Sequence, residues 1–325
     1  MALRRTNRLS AILSHPARIA RRNVASRTLW TAQEVLDTRK SVDVLESHMS
    51  YLDTGKVGDN TVVFLHGNPT AAFLWRSVIP HVQPLARCVA PDLLGMGHSG
   101  SEPSNLYRFN DHYEYLSEWM DKVVPDGRVN LVIHDWGSAL GFHWANEHRR
   151  RMQSITFMEA LVAVIPTWKD WPHSSRSVFQ AIRSPAGEEL ILEKNFFIER
   201  LLPASVQREL THEEMEEYRR PFKTPGKSRL PTLVWPREIP VDHRPAEVSA
   251  IVHNYRQWLS NDERIPKLFI DADPGFFSEF IRRTVKNWPN MQTATVKGTH
   301  FIQEDSPDDI GSAVAKFLQE EVFKS

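Results

Sequence analysis

Two hydrophobic rhythms alternate along most of the chain. Short runs rich in β-branched and apolar residues recur: VDVLESHMSY (42–51), TVVFLH (61–66), RCVAPDL (87–93), VNLVI (129–133), SITFMEA (154–160), KLFIDAD (267–273) and MQTATVK (291–297). Runs of this length bounded by turn residues predict strands. Between them the apolar residues take helical spacing. Leu74, Val78 and Val82 fall four apart, and further helices are predicted near 110–122, 137–150, from 276, and over 307–321. Strands that alternate with helices imply a mostly parallel sheet covered on both faces, an α/β fold.

The rhythm breaks between about 166 and 231. That stretch is punctuated by proline and favours helix, with no clear strand. A helical insertion in a parallel α/β sheet predicts a cap over the carboxyl ends of the strands, where open α/β sheets bind ligands. The expected organisation is therefore a core of residues 36–165 and 232–325, a helical cap of 166–231, and a segment 1–35 outside the fold.

Composition narrows the function classes. Forty Lys+Arg balance forty Asp+Glu, and 41% of residues are apolar. That is globular composition, and it argues against a disordered chain or a general nucleic-acid partner. No apolar run approaches the roughly 18 residues needed to span a bilayer, so integral membrane association is not expected. Cys88 is the single cysteine, which leaves no intrachain disulfide and no cysteine-ligated zinc.

The neutral total hides an asymmetry. Residues 1–33 carry seven Arg, no Lys and no acid, which leaves 33 Lys+Arg against 40 Asp+Glu in 34–325. Leu9, Ile12 and Leu13 are spaced for a short amphipathic helix before Pro16. An Arg-rich, hydroxyl-containing, acid-free start has the composition of a mitochondrial transit peptide. The alternative is a basic tail, with the protein then cytoplasmic.

Some patterns carry no chemistry. Gly95-Met96-Gly97-His98-Ser99-Gly100 spells GxGxxG, but SEPSN follows where a dinucleotide site needs a helix. His143 and His148 are five apart and do not share a helix face, so no metal is expected.

The informative segment runs from Val129 to Gly137. A β run ends at His134-Asp135-Trp136-Gly137 and a helix begins at once. This is the pattern of a nucleophile elbow, a tight strand-to-helix turn that exposes one side chain above the sheet. Here that side chain is the Asp135 carboxylate, which can attack an electrophilic carbon without first losing a proton. Ile133 stands two residues before it, where a close helix crossing favours a small side chain. His66-Gly67-Asn68-Pro69 ends an earlier strand, where this fold places its second oxyanion N–H. His300 follows the last strand, where the base belongs. Asp271, Asp273 and Glu159 all end strands and could orient His300; topology alone favours Asp273.

At these residues the chain resembles the haloalkane dehalogenases of the α/β-hydrolase superfamily. The resemblance rests on HGNPTAAFLWR (66–76), PDLLGMGHSG (91–100), HDWGSALGFHWANEH (134–148) and FMEALVAVIPTW (157–168). NFFIERLLP (195–203), PTLVWPREIP (231–240), DPGFFS (273–278) and KGTHFIQEDSPDD (297–309) are similar to the Renilla-type luciferase branch of that superfamily. Together these cover about residues 40–320.

The resemblance implies catalytic Asp135, Glu159 and His300, replacing Asp273 by Glu159 as the acid. It implies halide and oxyanion ligands Asn68 and Trp136, and no cofactor. It further implies hydrolysis of carbon–halogen bonds through an alkyl–aspartate ester. The partners are a small apolar halogenated substrate or a coelenterazine-like ligand, with halide as a product. Coelenterazine oxidation is the alternative activity. An epoxide hydrolase is less favoured, because its chemistry needs two acidic cap tyrosines and Tyr218 stands alone in 166–231. Trp171, Phe196, Phe197, Phe276 and Phe277 are candidate pocket walls, being aromatics in segments that border the cap or the strand ends.

Overall fold

The computed structural model describes residues 29–324. Eight strands form one sheet in the order β1-β2-β4-β3-β5-β6-β7-β8. They span Arg39–Val44 (β1), Ser47–Asp53 (β2), Thr61–Leu65 (β3), Arg87–Pro91 (β4), Val129–His134 (β5), Met152–Ala160 (β6), Lys267–Pro274 (β7) and Met291–Gly298 (β8). β2 runs antiparallel to β1 and β4, and every later pairing is parallel.

The single opening strand expected over 42–51 is a hairpin. Leu45 takes a positive φ of 48° and turns the chain between β1 and β2. No Gly or Asn marks this turn, so the local sequence hid it.

The alternation of side chains across each strand sorts the core into two layers. Val63, Leu65, Leu131 and Ile133 enter one cluster, with residues of the helices Phe109–Val123, Asp135–Glu147 and Ala246–Leu259. Val62, Phe64 and Val132 enter the other, with residues of Ile79–Val82 and Pro307–Phe317. A fully buried strand reads as a continuous apolar run because both faces are covered.

Two expected boundaries move. A helix over Ala32–Leu36 straddles the end of the segment assigned to 1–35. Thr31 caps it, accepting from the Glu34 N–H while Glu34 accepts from the Thr31 N–H, and Val35 is buried. The fold thus begins ahead of residue 36. The Arg-rich stretch itself lies outside the described residues. The helical insertion is present between β6 and β7, but its last helix, Leu230–Glu238, crosses the expected boundary at 231. Among the described residues, no helix is long and apolar enough to cross a membrane.

The GxGxxG segment is a loop wrapped on a carboxylate. Gly97 has φ 55°, and a Cβ there would overlap the Asp92 carboxyl group. Asp92 in turn accepts from the Ala72 and His98 N–H groups and from Arg39.

Candidate active site

β5 ends at His134, and the helix Asp135–Glu147 starts without a connecting loop. Asp135 makes the turn with φ 49°, a left-handed conformation that costs a non-glycine residue energy and occurs where function fixes it. The crossing is possible because glycine clears the way. A Cβ at Gly137 would overlap the carbonyl oxygens of Leu65 and His66, and one at Gly67 would overlap Asp135. Gly141 lies over Ile133, where an added Cβ would sit 2.9 Å from the Ile133 Cγ2. The bulk of Ile133 is therefore accommodated by the helix, one turn beyond the elbow.

Three side chains from three strand ends converge. His300 Nε2 lies 3.3 Å from Asp135 Oδ2, and its Nδ1 lies 3.1 Å from Glu159 Oε2. Glu159 ends β6 next to Ala160 and also has a positive φ, 42°. Its buried carboxylate accepts from the Phe276 N–H at 3.1 Å, the Phe277 N–H at 2.9 Å and the Ser278 hydroxyl at 2.9 Å. Asp273 is exposed, and Asp271 pairs with Arg282 at 2.8 Å. The structure places Glu159 against His300 and leaves both aspartates away from it.

Asn68 donates its backbone N–H to Asp135 Oδ1 at 2.7 Å, and the Trp136 N–H also donates to that carboxylate. Burial alone would raise the Asp135 pKa. The contact with His300 and these N–H donors outweigh it, so the group lies below the ordinary aspartate range. Burial likewise opposes protonation of His300, yet the carboxylates of Asp135 and Glu159 push it up to about 9. The two shifts together favour an ion pair between Asp135 and a protonated His300.

Two further histidines, which the sequence shows only as parts of the HDWG and HGNP motifs, support this arrangement. His134 is buried and held near 3 by desolvation, so it is neutral; its Nε2 lies 2.8 Å from the His300 carbonyl oxygen and donates to it. His66 Nε2 accepts from the Leu93 N–H, which leaves its Nδ1 to donate to the Gly67 carbonyl. Burial lowers its pKa as well. Nothing in composition or spacing separates such structural histidines from catalytic ones.

Asp135, His300, Asn68 and Trp136 open onto one cavity. Its walls are mostly apolar. Trp171, Phe197, Phe276 and Phe277 line it as expected, joined by Phe179, Phe280, Leu161, Ile165 and Ile239. Trp171 packs on Phe179 at 4.6 Å and on Phe277 at 5.2 Å between ring centroids. Phe196 is a correction. It packs against Ile182, Ile191, Phe197 and Leu233 inside the cap and does not line the cavity. Adjacent residues on a helix point about 100° apart, and here Phe197 faces the ligand space while Phe196 turns into the cap. Trp136 is fixed by Trp235 of the cap, stacked at 4.4 Å. The Tyr218 hydroxyl donates to Glu304, away from the cavity.

A family model described as the alpha/beta hydrolase fold matches residues 60–307. A haloalkane dehalogenase of Sphingobium indicum is 47% identical over 285 residues, covering 86% of this chain and 95% of that protein. The coelenterazine h 2-monooxygenase of Renilla reniformis is 44% identical over 281 residues, covering 86% of this chain and 90% of that protein. Among solved structures, a putative ancestral haloalkane dehalogenase superposes with a TM-score of 0.82 at 42% identity, covering 86% of this chain and 98% of that one.

Proposed function

Because this chain belongs to the alpha/beta hydrolase fold family, in the group that holds the haloalkane dehalogenases, we propose that it hydrolyses carbon–halogen bonds through a covalent alkyl–Asp135 ester. The observation that carries this reading is the buried Asp135 carboxylate at the elbow. It is held by backbone N–H donors and faces His300 at the end of an apolar aromatic cavity.

An Asp135 oxygen attacks the halogen-bearing carbon as the carbon–halogen bond breaks, and the electron pair leaves with the halide. The Trp136 indole and the Asn68 amide donate to the departing anion, stabilising charge as it develops. Ester formation removes the Asp135 charge, and with it the strongest of the influences that keep His300 protonated. His300 gives up its proton to solvent and, now neutral and oriented by Glu159, takes one from water. The hydroxide adds to the Asp135 carboxyl carbon, and the N–H groups of Asn68 and Trp136 hold the oxyanion. Collapse releases the alcohol with one proton of the water and restores the carboxylate. The other proton stays on His300, so one proton is released to solvent per turnover and the starting ion pair is restored.

The test pairs two variants with 1-bromobutane. His300→Gln is expected to accumulate an adduct of butyl mass on Asp135, seen by intact mass spectrometry, because only the second step needs the base. Asp135→Ala is expected to lose catalytic halide release. Undiminished halide release by Asp135→Ala refutes the mechanism.

A second reading is oxygenation of a coelenterazine-like ligand, alone or alongside dehalogenation. The 44% identity to the Renilla monooxygenase and the aromatic cavity support it. Light from coelenterazine under air, measured beside halide release, decides between the two. The position of Tyr218 away from the cavity counts against an epoxide hydrolase.

For location, we propose that the Arg-rich start directs the protein to mitochondria. Fusing residues 1–35 to a fluorescent protein tests it, and a diffuse cytosolic signal rejects it.

A further inference from the structure

His300 is held from two sides. On the core side, His134 donates to its carbonyl and Glu159 receives its ring. On the cap side, both of its neighbours bind one atom. The Ser205 carbonyl accepts from the Phe301 N–H at 3.1 Å and from the Thr299 hydroxyl at 2.6 Å. Asp305 Oδ1 accepts from the backbone N–H groups of Gln207 and Arg208 at 2.8 and 3.1 Å. The segment 299–305 and the cap segment 205–208 are therefore laced together around the histidine.

Behind this lacing lies a buried ionic cluster. Glu304, almost wholly inaccessible, accepts from Arg76 at 2.7 and 2.8 Å, from Arg208, and from the Tyr218 hydroxyl. Arg208 also donates to the Glu304 carbonyl at 2.6 Å and spans both oxygens of Glu214 at 2.7 Å. Arg76 reaches Glu214 at 2.6 Å. Arg76 belongs to the core beside the HGNP turn, Glu304 to the turn after His300, and Glu214 and Tyr218 to the cap helix His212–Arg219. Two arginines balance two glutamates, and a planar guanidinium fork fixes direction as well as charge.

We propose that the Arg76–Glu304–Arg208–Glu214–Tyr218 cluster is a clamp through which the cap positions His300, so that these residues govern hydrolysis of the alkyl–Asp135 ester while leaving its formation untouched. The asymmetry follows from placement. The backbone of Asp135, Asn68 and Trp136 belongs to β5, the elbow and the turn after β3, all in the core, and the cap touches this group through the ring of Trp235 on Trp136, away from the cluster. His300 alone sits on backbone that the cap holds. A shift of about 1 Å in a reacting group can cost on the order of a hundredfold in rate. This inference rests on the dehalogenase reading.

The test uses Arg208→Met, at a side chain that is 35% exposed; the variant leaves Arg76 as the one arginine, among the described residues, on Glu304 and Glu214, which loosens the clamp. Tyr218→Phe, which keeps the ring packed on Phe73, is the milder partner. In single-turnover mixing with 1-bromobutane, Arg208→Met is expected to form the alkyl-enzyme at the wild-type rate and to hydrolyse it about tenfold more slowly. The adduct then accumulates in steady state. Tyr218→Phe should slow hydrolysis about threefold, and Arg208→Lys should recover part of the loss. Equal slowing of both steps, or wild-type hydrolysis in Arg208→Met, overturns the proposal. Hydrogen exchange over 299–305 reads the clamp without any substrate and should rise in Arg208→Met. Unchanged exchange there overturns the clamp whatever the chemistry. A wild-type enzyme that releases no halide, with exchange raised in the variant, would instead overturn the dehalogenase reading.

Discussion

Asp135, His300 and Glu159 stand on turns at the ends of β5, β8 and β6, whereas Trp171, Phe179 and Phe197 stand on the inserted segment between β6 and β7. The two groups face one cavity with opposite chemistry. The core side carries the ionised groups, and two of them adopt left-handed backbone that only a packed surround can hold. The cap side carries rings, which exclude water and strengthen every charge interaction beneath them. Arg208, Glu214 and Tyr218 of the cap serve its attachment, in the cluster around Glu304. A strained polar site needs a rigid base, while a wall of rings tolerates variation. The core supplies the reacting groups, and the cap supplies much of the apolar wall and one side of the support of His300.

The sharpest way to break that comparison is to move the acid. Glu159→Gln is expected to lower turnover on the order of a thousandfold, about 4 kcal/mol of barrier, because His300 loses the carboxylate that orients it. Asp273→Asn, on an exposed side chain, should stay within about twofold of wild type, since surface substitutions away from a site are usually near neutral. Steady-state rates of the two folded variants rank them, and the reverse order would return the role to Asp273.

Next in size is the elbow itself. Gly137→Ala forces a methyl group onto two carbonyl oxygens of the neighbouring strand end. Backbone cannot yield as a side chain can, so the loss should be about 3 kcal/mol or more. Thermal unfolding reads it. A variant as stable as wild type would mean that helix and strand separate freely, contrary to a rigid core.

The ion pair makes a pH prediction. His300 is raised from 6.5 to about 9 in the folded protein. Its contribution is therefore fully present below pH 6.5 and is lost as pH rises through 9. By linkage it amounts to at most about 3 kcal/mol. The melting temperature of wild type should fall more between pH 6.5 and 9.5 than that of His300→Gln. Parallel curves would show that the histidine is not held as a cation.

The smallest effect separates two neighbours in the cap. Phe197→Leu should change the ratio of kcat/KM for 1-bromohexane over 1-bromobutane by about tenfold, the size of one or two methylene contacts. Phe196→Leu should leave that ratio within about twofold and act on melting temperature instead. A specificity change in Phe196→Leu would place it in the ligand wall after all.

Much of this architecture was legible in the chain. β3, β5, β6 and β7 announce themselves as apolar runs because both faces of the sheet are buried, and HDWG, HGNP and the late His300 mark strand ends by their turn chemistry. Strand-to-helix turns and buried parallel strands are local patterns, and local patterns are written in sequence. Four things were not written there in local pattern. The β1–β2 hairpin turns at Leu45 without a turn residue, because its register is imposed by pairing across the sheet. Strand order by itself favours Asp273 and only the family resemblance points to Glu159, because the choice depends on which strand end lies beside His300. The separation of Phe196 from Phe197, and the gathering of Arg76, Arg208, Glu214 and Tyr218 around Glu304, join residues up to 228 positions apart. Such contacts are properties of the closed chain: a side chain's type sets what it can do, but only the packing of distant segments decides what it meets.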